Sequence, residues 1–101
     1  MIKIIIKRND SIEGITIKGH ANYDEYGKDI VCAAVSSISL TTCNAILSLE
    51  ETIECNDNNG LLTIKVIKNT DITEKLLNNM IEMLKELEGQ YPKNIEIRNE
   101  E

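Results

Sequence analysis

Twenty consecutive residues, Ile30 to Leu49, carry no charged side chain in a chain where 28% of residues are charged. A run of that length reads as one helix, which either crosses a membrane or lies enclosed by protein. Ser36, Ser37, Ser39, Thr41, Thr42, Asn44 and Ser48 place polar side chains along it, and that suits enclosure by protein better than lipid. At about 100° per residue, Ile30, Val31, Ala34, Val35, Ile38, Ala45, Ile46 and Leu49 share one broad face, while Leu40, Cys43 and Leu47 lie on another. The first face is expected to pack on a sheet. The second needs a further helix or a second subunit to cover it. Asp29 reads as the N-cap, with Gly27 easing the backbone at the entry, and the helix is expected to run to about Glu50.

The flanking segments supply that sheet. Ile2, Ile4 and Ile6 alternate with Lys3 and Lys7, Asn9-Asp10-Ser11 has turn chemistry, and Ile15 and Ile17 alternate with Thr16 and Lys18. Residues 2–8 and 12–19 are therefore an expected opening hairpin. After the long helix, 52–55 and 61–67 read as a second hairpin around Asn56-Asp57-Asn58-Asn59-Gly60. Asp71 with Glu74 reads as a capping pair for a second helix, in which Leu76, Leu77, Met80, Ile81, Leu84 and Leu87 recur at threes and fours before Gly89. Pro92 leads to a last strand, 94–98, with Ile95 and Ile97 inward. The order is ββαββαβ, and hairpins imply a mostly antiparallel sheet packed with two helices in an α+β fold. The 101 residues are expected to form a single domain.

A net charge of −6, from 11 basic and 17 acidic residues, argues against a general nucleic-acid binder. Met1 to Lys7 is too short an apolar run, and too regularly broken by lysine, for a signal peptide, so a cytoplasmic location is expected, with no membrane partner. The odd count of three cysteines then reads as free thiols. One histidine, no Cys-x-x-Cys and widely spaced cysteines leave no metal site expected within one chain, and no glycine-rich phosphate loop is present, so no cofactor is expected.

Cys32 and His20 are the residues with chemistry. Cys32 is expected in the first helical turn, where unpaired N–H groups and the helix dipole favour a thiolate. His20 ends the strand that leads into the same loop, so strand end and helix start can bring the imidazole to the thiol. In that arrangement the imidazole takes the thiol proton and later passes it to a leaving amine, while N–H groups at the helix start hold a developing oxyanion. Spacing alone equally fits a polar strand-end histidine and a small core cysteine. The position at a helix start, and the backbone space left by Gly19 and Gly27, favour the chemical reading. Cys43 lies about 16 Å further along the same face, too far for a shared disulfide or metal, and Cys55 alternates with Ile53 towards the core. Asp29 either caps the helix or orients the histidine. Ser36 either hydrogen-bonds near the site or keeps the helix surface small. Tyr23 and Tyr26, with Gly27 between strand and helix, are candidate substrate-binding residues or loop surface.

The run Gly19-His20-Ala21, followed by Tyr26-Gly27-Lys28-Asp29-Ile30-Val31-Cys32-Ala33-Ala34-Val35-Ser36, closely resembles the signature of the ribosomal-processing cysteine proteases, the Prp family. The resemblance implies an endopeptidase that removes the N-terminal extension of large-subunit ribosomal protein twenty-seven, working as a homodimer. It places the nucleophile on Cys32, the base on His20, and supporting roles on Asp29 and Ser36, with the loop Ala21 to Lys28 expected to move on substrate binding. The alternative is a non-catalytic peptide-binding module of ribosome assembly, in which the tyrosine loop and a sheet edge take a peptide by strand addition.

Overall fold

Alternate isoleucines at Ile2, Ile4 and Ile6 are buried while Lys3 and Lys7 are exposed and Ile5 is half-buried, which is how a strand with one wet face arranges a period of two. That strand, β1 (Ile2–Arg8), pairs antiparallel with β2 (Ile12–Lys18). The computed structural model describes residues 1–19 and 26–100, with side chains at 1–19 and 30–100. The remaining elements are α1 (Tyr26–Leu49), β3 (Ile53–Asn58), β4 (Leu61–Val66), α2 (Asp71–Gln90) and β5 (Ile95–Glu100). The strands form one five-stranded sheet in the order β3-β4-β2-β1-β5, antiparallel except for the parallel pair β1 and β5. This is the expected α+β fold in the expected ββαββαβ order.

One face of the sheet carries the core. Ile4, Ile6, Ile15, Ile17, Leu62, Ile64 and Ile95 are buried with Val31, Val35 and Ile46 of α1 and Leu77, Met80, Ile81 and Leu84 of α2 in a single cluster. The other face presents Lys3, Lys7, Lys18, Lys65 and Glu54 to solvent. α2 is tied to the first hairpin at a bulge between Lys7 and Arg8. There the Glu74 carboxylate accepts the Ile12 N–H at 3.2 Å, and Arg8 donates to Asn78 Oδ1 at 3.2 Å.

Four expectations are corrected. α1 begins at Tyr26, so Asp29 is its fourth residue and not its cap. Glycine and aspartate cost at most about 1 kcal/mol inside a helix, too little to stop one that packing sustains, and an aspartate suits a first turn. The buried stripe of α1 is Val31, Cys32, Val35, Ser39, Cys43 and Ile46, while Ile30 and Leu49, expected inside, are 49% and 63% exposed. α2 is capped by Thr70, whose hydroxyl accepts the Thr73 N–H, and not by an Asp71–Glu74 pair. The second hairpin closes on the two residues Asn59 and Gly60, at φ 49° and 80°, and β3 extends to Asn58 through what reads as loop. Positive φ at both central residues is the backbone of a type I′ turn, which matches strand twist.

Candidate active site

β2 is followed by Gly19, whose φ of +86° lies in the left-handed region that side chains rarely adopt. Its N–H donates to the Gly60 carbonyl at 2.9 Å, adding one bond to the ladder beyond Lys18 and Leu61. A Cβ at this position would stand 3.1 Å from the Met1 carbonyl oxygen. The left-handed turn leaves the Gly19 carbonyl facing α1, where it accepts a hydrogen bond from the Cys32 thiol at 3.6 Å. Gly19 immediately precedes His20 in the chain, so the sulfur sits where the strand gives way to the histidine.

Cys32 is 2% exposed and counts among the core residues of α1. It is the seventh residue of that helix, about 9 Å along the axis from Tyr26, and the dipole's influence falls off within the first turn. The unpaired N–H groups expected around the thiol therefore belong to positions before it. Side chains tilt back towards a helix N-terminus, which recovers part of that distance. Ser36, one turn beyond Cys32, is half-buried. His20 and Tyr23 lie outside the described residues, and Tyr26, Gly27 and Asp29 are described in backbone only, as the opening of α1.

The other thiols behave as core. Cys43 is 2% exposed, Cys55 is half-buried against the same cluster, and both are free. Burial pushes the Cys43 thiol far above the ordinary range, and a hydrogen bond and charge interaction with Cys55 add to that. A depression of 510 Å³ on the outer sheet face, around Gly14, Thr16 and Thr63, includes none of the candidate site residues. Sequence reasoning used Gly19 only as a space-maker and Gly60 only as a turn residue. The structure joins the two, and the turn signal at Asn59-Gly60 gave no hint of that cross-strand role.

A thiol set against a strand end, on a two-layer α+β scaffold, is a placement that a cysteine peptidase can use, and the class follows from the family. A profile of the cysteine protease Prp family matches residues 1–96. The ribosomal processing cysteine protease Prp of Staphylococcus aureus is 34% identical over 103 aligned positions, covering 96% of this chain and 97% of that protein. Two crystal structures of the S. aureus enzyme, described as an essential ribosomal processing protease, superpose closely. One holds a substrate peptide, with TM-score 0.92 and 30% identity over 99% of this chain and 100% of that one. The other holds a covalently linked product peptide, with TM-score 0.88 and 33% identity over the same shares. The chain belongs to the Prp family of cysteine proteases.

Proposed function

We propose that this protease removes the N-terminal extension of large-subunit ribosomal protein twenty-seven, with Cys32 as nucleophile and His20 as general base and then acid. The contact between the Cys32 thiol and the carbonyl that leads into His20 is the observation that carries the reading. His20 takes the thiol proton, and the Cys32 sulfur attacks the scissile carbonyl carbon to form a C–S bond. Collapse of the tetrahedral adduct breaks the C–N bond, with His20 returning the proton to the departing amine. Water then hydrolyses the thioester and frees the sulfur. Asp29 and Ser36, on the same helix as the nucleophile, are proposed in supporting roles, and Tyr23, Tyr26 and Gly27 in substrate binding.

The substrate assignment draws on the ribosomal processing role named for the S. aureus relative, and on a charge of −6 that suits a basic ribosomal protein. The enzyme is proposed to work in the cytoplasm, where its three thiols stay reduced. A homodimer is proposed because the exposed side of α1, Ile30, Ala33, Ser37, Thr41, Asn44, Leu47 and Ser48, carries no charge. Solvent-facing helix sides normally do, and that of α2 bears Lys75, Glu82, Lys85 and Glu86.

The test is incubation with the extended ribosomal protein of the same organism. A single N-terminal truncation is expected, abolished in Cys32→Ala and slowed at least about a hundredfold in His20→Ala. Truncation by the Cys32→Ala protein would overturn the assignment of the nucleophile.

A further inference from the structure

Gly19 is held from two sides. Its N–H is bonded to Gly60, and its carbonyl, which a regular antiparallel ladder would return to the opposite strand, is turned by φ of +86° onto the Cys32 thiol. Gly60 in turn sits in a two-residue turn whose shape depends on left-handed backbone at Asn59 and Gly60. A continuous path of hydrogen bonds therefore runs from the β3–β4 turn, through the single residue Gly19, to the sulfur. We propose that the β3–β4 turn is a positioning element of the active site, and that the Gly60 carbonyl sets the Gly19 carbonyl against the Cys32 thiol. This rests on the reading of Cys32 as nucleophile, and adds a residue 28 positions away from it that touches neither substrate nor sulfur.

The physical argument is one of constraint. A left-handed residue at a strand end is free to rotate about its own ψ unless its neighbours hold it. The Gly60 bond holds the Gly19 N–H, and the Met1 carbonyl, 3.1 Å from where a Cβ would be, leaves no room there for a side chain. With its N–H so held, Gly19 keeps its carbonyl within reach of the thiol, at 3.6 Å. Loosening Gly60 lets Gly19 and its carbonyl drift relative to the thiol. A drift of about 1 Å at a reacting group costs up to about a hundredfold in rate. Because the Gly19 carbonyl is set against the nucleophile, the loss is expected to fall on kcat.

The test compares Gly60→Val, Gly60→Ala, Gly60→Asn and a control, Gly14→Ala. Valine and alanine are strained at φ of +80°, whereas asparagine tolerates it. In Gly14→Ala the new Cβ meets the Ile64 carbonyl oxygen at 3.0 Å, so β2 and β4 are strained away from Gly19. Two measurements are made on folded protein, verified by circular dichroism. One is kcat and KM for an extension peptide, and the other is the pH dependence of Cys32 alkylation by iodoacetamide, followed by peptide mapping. Gly60→Ala and Gly60→Val are expected to lower kcat by about tenfold or more with KM within about twofold, and to displace the Cys32 alkylation profile. Gly60→Asn is expected to restore both, and Gly14→Ala to leave both near wild type despite lower stability. Wild-type kcat and alkylation profile in Gly60→Ala, or an equal displacement in Gly14→Ala, would overturn the proposal. If wild-type protein cleaves no peptide but its alkylation profile still responds to Gly60 alone, the positioning role stands and the peptidase substrate assignment falls.

Discussion

Cys43 of α1 meets Cys55 of β3 at the core, eleven residues along the chain from the proposed nucleophile Cys32, and its behaviour with pH is opposite to what a nucleophile needs. Burial holds the folded Cys43 in its thiol form. In the unfolded chain the same group sheds its proton from about pH 8.5 upward. Above that pH the unfolded state binds fewer protons than the folded one, so this residue's contribution to stability is complete below about pH 8.5 and declines as pH rises. Urea denaturation at pH 7 to 10 is expected to show the wild-type advantage over Cys43→Ala shrinking by up to about 1.4 kcal/mol for each pH unit in the alkaline range. A constant difference would mean that Cys43 ionises as readily folded as unfolded. The core reading of both cysteines was available from sequence, because Cys55 alternates with Ile53 and Cys43 falls on an apolar face. The neighbourhood of Cys32 was only partly available. Its proximity to the end of β2 follows from element order, whereas the start of α1 turns on a balance of about 1 kcal/mol at Gly27 and Asp29 that local pattern does not decide.

The two helices differ in how openly they announce their buried faces. α2 buries Leu77, Met80, Ile81 and Leu84, large side chains at threes and fours between charged ones, and its orientation follows from spacing. α1 buries Cys32, Ser39 and Cys43 along with its valines and Ile46, and leaves Ile30, Leu47 and Leu49 outside. Small residues let a helix approach the sheet and its neighbour closely, but hydrophobicity assigns them no face. The Ser39 hydroxyl is even buried with no hydrogen-bond partner among the described residues. The cap of α2 was hidden for a different reason, since its chemistry comes from a distant segment. Thr70 accepts the Thr73 N–H at 3.2 Å and donates to the Glu50 carboxylate, which also accepts from the Thr73 hydroxyl at 3.1 Å. Glu50 lies just past the end of α1, so one carboxylate joins the end of one helix to the start of the next. Thr70→Ala is expected to cost about 1 to 2 kcal/mol in urea denaturation, and Thr70→Ser only a few tenths. Asp71→Ala, at the residue that sequence alone nominates, is expected to cost less than half as much as Thr70→Ala.

At the scale of the molecule, the Cys32 thiol of α1 lies where the exit of β2 meets the backbone of Met1 before β1 and the turn before β4. The element order was legible because each hairpin has its own turn residues and each helix its own period. The strand order was not, because the β2–β4 pairing that brings Gly60 to Gly19 joins segments 41 residues apart with no local signal. The same scale bears on assembly. α1 lies across the sheet with its inner side in the core, so the uncharged stripe through Ser37, Thr41 and Asn44 is turned away from the rest of the chain. If a second copy covers that stripe, two α1 helices meet across it, and a carboxylate introduced on each is brought close to its mate in a desolvated interface. Thr41→Glu combined with Leu47→Glu changes only exposed positions, Leu47 being 42% exposed, so the fold of each subunit is expected to survive. Sedimentation should then show wild-type protein as a dimer and the double variant as a monomer with an unchanged circular dichroism spectrum. A variant that still sediments as a dimer would move the interface off α1, and a monomeric wild type would remove it altogether.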